Sequence, residues 1–98
     1  MTWQVCDVRW AEPAIRAFLA KYGPEDADAV NSILIQVREH PEDLSLRELV
    51  APEDLRPEID RVEGDVYRST DGVWEVYFNW SPLHITVVFA EKARSSKR

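Results

Sequence analysis

Along the chain, apolar positions change period three times, and each change marks an element. Residues Thr2 to Arg9 alternate, with Trp3 and Val5 on one side and Cys6, Val8 and Trp10 on the other, which predicts a strand with apolar groups on both faces and hence an interior place in a sheet. Ile15, Phe18, Leu19 and Tyr22 then follow at helical spacing after Glu12-Pro13, a pair suited to a first helical turn. Gly23-Pro24 predicts its end through a left-handed cap. A second helix begins within residues 24 to 28 and repeats the spacing at Val30, Ile33, Leu34 and Val37, until His40-Pro41 stops it. Two such helices joined by a few residues make an antiparallel pair that lays both stripes on one sheet face.

The period is lost from Pro41 to Asp65. Ser45 and Glu48 have capping-box spacing, and Leu44, Leu46, Leu49, Val50 and Leu55 offer an apolar side, so this acidic linker is expected either to hold one or two short helical turns or to form an ordered acidic loop. Pro-Glu-Asp recurs at 24, 41 and 52, but the unequal spacing marks helix-start chemistry and no structural repeat. From Val66 the pattern turns to three strands, 66–70, 73–80 and 84–90. Asp71-Gly72 predicts a two-residue hairpin turn that sets 70 opposite 73 and 68 opposite 75. Trp74, Val76, Phe78 and Trp80 share one face and Glu75, Tyr77 and Asn79 the other; Ile85, Val87 and Phe89 alternate likewise in the last strand. The expected fold class is α+β: strand-helix-helix, then a three-stranded antiparallel meander with both helices on one face and Glu75 and Tyr77 on the open one.

Composition changes this picture little. The chain of 98 residues predicts a single domain, 1–98, able to bury a core without disulfides or a structural metal. Its one cysteine, Cys6, reads as a small buried hydrophobe, and no cofactor or metal site is expected. The N-terminus alternates instead of opening on a basic start and an apolar block, and no run approaches the ~18 apolar residues of a membrane span. A cytoplasmic protein is the expectation.

Charge distribution matters more. The formal net charge is -6, yet residues 25 to 60 hold eleven acids against three bases, while the closing EKARSSKR holds four bases against one acid. An acidic chain is repelled by phosphate, so broad nucleic-acid affinity is not expected; the basic tail, 92–98, is the one segment suited to RNA or an acidic partner, or simply a solubilising end. No glycine-rich phosphate loop, Ser-His-Asp order or dinucleotide fingerprint is present. His40 at a helix end and His84 at a strand start read as capping or exposed histidines.

The element order, with IDRVEGDVYRSTDGVWEVYF at 59–78 and ITVVFAEKARSSKR at 85–98, resembles the RelE/ParE superfamily of toxins from bacterial toxin-antitoxin modules, and within it the HigB type. The resemblance implies a cognate antitoxin as partner and, for many members, ribosome-dependent cleavage of messenger RNA; others, similar to ParE, act on DNA gyrase. Carried over by position, Arg68 matches the family's strand arginine, and Lys92 with Arg94 match its basic end. Lys97 and Arg98 extend that end toward RNA, and Tyr77 is a candidate for stacking on a base. Glu75 stands where the family usually has an arginine, a reversal of sign at a phosphate site. Two readings of Glu75 follow: a general base with Arg68 and Lys92 as phosphate clamps, or a cross-hairpin ion pair with Arg68. The functional alternatives are a toxin that cuts RNA, a diverged non-catalytic member of the fold that binds protein, and a structural or regulatory subunit.

Overall fold

The computed structural model describes residues 7–81 and 83–93. In chain order they form β1 (Asp7–Trp10), α1 (Glu12–Leu19), α2 (Pro24–Glu39), β2 (Glu48–Leu49), β3 (Tyr67–Thr70), β4 (Trp74–Trp80) and β5 (His84–Lys92). The sheet has five strands in the order β1-β5-β4-β3-β2. β1 lies parallel to β5, and the other neighbours are antiparallel. The expected meander β3-β4-β5 is therefore the centre of a mixed sheet. β1 sits at an edge and not inside it, because the apolar groups Val8 and Trp10 face the helices while Arg9 on its other side is exposed. Residues 2 to 6 of the predicted strand, Cys6 among them, lie outside the described residues.

Both helices pack on one sheet face. Phe18, Val30, Leu34 and Val37 meet Trp74, Val76, Phe78, Ile85 and Val87, all buried. Around Phe18, the rings of Tyr22, Trp10 and Trp74 stand 4.8, 5.1 and 5.5 Å away in tilted or edge-on contact. Two helix expectations need correction. Leu19, read as part of the α1 stripe, is 46% exposed and takes no part in the buried core. Gly23 has φ -97°, not a left-handed value; it opens α2 instead, with its amide donating to the Asp26 carboxylate at 3.2 Å.

The hairpin register also differs from expectation. Thr70 faces Glu75 and Arg68 faces Tyr77, so four residues, 71–74, lie between the last paired positions where two were expected, and the Arg68–Glu75 cross-hairpin pair does not form. The cause is Asp71: its Oδ1 accepts from the amides of both Val73 and Trp74, at 2.8 and 2.9 Å, which winds the chain through a wider turn with Gly72 at φ 91°. On the other side of β4 a bulge inserts one extra residue of β5: Phe78 pairs with Val87 but Tyr77 with Phe89. Phe89 is thereby turned to the face opposite Ile85 and Val87, where it meets Tyr77 at a ring separation of 6.0 Å.

That second face is not open. Residues 50–66 cross it as a strap built from single 3₁₀ turns at Pro52–Asp54 and Pro57–Ile59, and bury Ile59 and Val66 against Tyr77, with Val50, Leu55, Val62, Val88 and Phe89 around them. The Asn79 side-chain amide donates to the Asp65 carbonyl at 2.8 Å and pins the strap's end to β4. The Ser45–Glu48 capping box does not form. Asp43 caps the preceding 3₁₀ turn, accepting from the Ser45 amide at 3.0 Å and hydroxyl at 2.6 Å, and Glu48 is released into β2.

Candidate functional site

Strand register decides which of the sequence candidates can act together. Arg68, Glu75 and Tyr77 share the strap-side face, since Arg68 pairs with Tyr77 across β3–β4 and Glu75 lies two positions along. Lys92 pairs with Trp74, a helix-side residue, and its ammonium lies 5.9 Å from that ring, so it stands on the opposite face from Arg68. The two cations expected to clamp one phosphate are separated by the sheet. Arg94, Lys97 and Arg98 lie outside the described residues. Tyr77 is only 5% exposed, with its ring packed among Ile59, Val66 and Phe89, so the stacking surface expected of it is covered by the strap.

Arg68 already has an anion. Its Nη2 donates to Glu48 Oε1 at 2.5 Å, and the register places Glu48 directly opposite it on β2. This hydrogen bond holds the guanidinium above the usual arginine range, outweighing the downward pull of burial, with the Tyr77 hydroxyl adding to the effect. Beside the pair is a shallow cavity of about 170 Å³ lined by Glu48, Val50, Asp54, Arg68 and Tyr77. Two carboxylates against one guanidinium leave that cavity net acidic. Glu75 lies between Thr70 on one side and Glu91 on the other, a register that puts a second carboxylate next to it.

Sequence reasoning missed Arg56. From the strap it donates through Nη1 to Glu91 Oε2, stands 5.2 Å from the Phe89 ring and 3.5 Å from Glu58. Burial lowers its pKa, but the hydrogen bond and charge of Glu91 outweigh that and raise it. Nothing in the local sequence signals the pair, because 35 positions separate its members. Glu48 was named only as a helix cap, and no alternation around it, in Leu46-Arg47-Glu48-Leu49-Val50, signals the two-residue strand that sets it opposite Arg68.

Chemically, the strap-side face offers two arginines that are each paired with a carboxylate, an interposed glutamate and an apolar floor. Cleavage of RNA asks for free cations around a phosphate and a base beside the 2'-hydroxyl. The face presents its guanidinium groups as members of ion pairs. Among the described residues, no group of three or more His, Cys, Asp or Glu side chains is placed to hold a metal ion, and no helix is long and apolar enough to cross a membrane.

Sheet order, helix placement and strap together define a small α+β domain. No family model and no curated protein matches the sequence. Among solved structures, the chain is similar to the toxin-antitoxin complex RelBE2 from Mycobacterium tuberculosis, with a TM-score of 0.60 at 15% identity, over 94% of this chain and 95% of that one. The likeness supports the α+β class and RelE-like fold that the sequence resemblance implied, while the five-stranded mixed sheet differs in detail from the expected three-stranded meander.

Proposed function

We propose that this protein is the toxin-side component of a toxin-antitoxin module of HigB-like type, held in check by a protein antitoxin, and that it acts by binding a protein target and not by cutting RNA. The fold likeness to a chain of the RelBE2 complex supports the first half. The observation that carries the second is the Arg68–Glu48 hydrogen bond: the strand arginine that resembles the family's phosphate ligand spends its charge on a carboxylate of the same chain. Lys92 on the far side of the sheet and the buried Tyr77 favour the same reading.

The test is induced expression in a bacterial host with growth and total messenger RNA followed together. Growth arrest with intact transcripts, relieved by co-expression of a cognate antitoxin, is the expected outcome; unimpeded growth contradicts the toxin reading itself. A second reading, a ribonuclease with Glu75 as base, is favoured by the common face of Arg68, Thr70 and Glu75. It requires that fragmented transcripts appear on induction and vanish in both Glu75→Ala and Arg68→Ala.

A further inference from the structure

The sheet ends at β2, a strand of two residues with no described strand beyond it. Leu49 stands 56% exposed there, with a cavity on either side of it, and the two together make an interrupted groove. One end is the acidic cavity of about 170 Å³ described above. The other is a cavity of about 210 Å³ whose lining is predominantly apolar, formed by Leu49, Val50, Pro52, Leu55 and Val66 with Asp65 at its margin. Leu49, Val50 and Ala51 line both cavities and form the ridge between them. Among the described residues, Glu48, Asp54 and Asp65 thus line these cavities with three acidic residues and Arg68, already bound to Glu48, as the one cation.

We infer that this groove is the docking site of an extended, basic segment of a partner protein, which lays an apolar side chain in the 210 Å³ cavity and a lysine or arginine between Glu48 and Asp54. Charge complementarity selects the occupant: this part of the chain belongs to the stretch with eleven acids and three bases, which repels phosphate and acidic peptides alike. An exposed leucine at the end of a sheet, beside an apolar hollow, suits a strand-like segment whose alternate side chains enter pockets. A carboxylate accepts more than one donor, so Glu48, 64% exposed, takes an incoming cation without releasing Arg68. The inference goes beyond the toxin reading and does not depend on it, since the groove selects the same chemistry whether the partner is an antitoxin or a target.

The experiment uses the full chain, labelled with ¹⁵N, titrated with two synthetic ten-residue peptides, one alternating lysine and leucine and one alternating glutamate and leucine. Saturable binding of the lysine peptide, with shifts confined to residues 46–55 and 64–68, is expected, together with at least tenfold weaker binding to Asp54→Lys and to Leu49→Asp. Asp54 and Leu49 are both exposed, and unchanged amide shifts of α2 and β4 in each variant certify its fold. Equal binding of the glutamate peptide overturns the inference. So do shifts centred on the acidic first turn of α2, and so does unaltered affinity in both variants.

Discussion

On the helix side of the sheet, Phe18, Leu34, Phe78 and Ile85 belong to one contiguous apolar core with almost no polar atom in it, whereas on the strap side three buried residues, Ile59, Val66 and Tyr77, are ringed by ion pairs and half-buried aliphatics. The first region is held by area removed from water, roughly 25 cal/mol per Å², which no salt screens. The second combines a small apolar plug with Arg56–Glu91 and Arg68–Glu48, whose members remain in partial contact with solvent. The difference teaches where the molecule can change shape: a strap with a three-residue core opens before a sheet with a twelve-residue core does.

The largest break in this contrast is expected from Phe78→Ala, which removes a fully buried ring stacked 6.0 Å from Tyr67 and costs about 3–5 kcal/mol, lowering the urea midpoint of the whole domain. Ile59→Ala is expected to cost about 2 kcal/mol, the low end for such a truncation because the strap can settle into the gap. Its signature is regional, with amides of 50–66 exchanging faster while those of α2 keep their protection. An Arg56→Ala substitution leaves the Glu91 carboxylate, 14% exposed, without its donor and is expected to cost about 1–2 kcal/mol; raising salt shrinks the gap between variant and parent, which it does not do for Phe78→Ala. Glu48→Gln touches an exposed pair and is expected to move stability by less than about 1 kcal/mol.

The smallest effect is a pH response at the start of the linker. The Ser45 hydroxyl and then its amide hold the Asp43 carboxyl below the ordinary 3.8. A carboxylate with a lowered folded pKa supports its turn at pH above 3.8, and that support is lost as pH falls through the lower folded value. Titration of the Ser45 amide shift should follow this carboxyl, and Asp43→Asn should abolish the dependence without altering either core.

Periodicity made the helix side legible. The stripes at 30, 33, 34 and 37 and the alternation at 74, 76 and 78 each name residues that are buried, because a single pattern and a single face explain them. The strap side was written in interactions that no local pattern reports. Arg56 finds Glu91 across 35 positions, Arg68 finds Glu48 across 20, and the bulge that turns Phe89 toward Tyr77 leaves an ordinary alternating strand in the sequence. Asp71-Gly72 announced a hairpin correctly but not its length, since the Asp71 carboxylate captures two amides and widens the loop. Arg68, Glu75 and Tyr77 were recognisable as candidates; that the strap would cover one and neutralise another depended on tertiary packing.

The central claim is that Arg68 is an ion-pair partner and not a phosphate ligand. Mapping the 5' ends of transcripts in cells induced to express the parent chain and Arg68→Ala tests it most directly. No new ends in either strain, with growth arrest in the parent, is the predicted result; new cleavage ends in the parent that disappear in Arg68→Ala would contradict it.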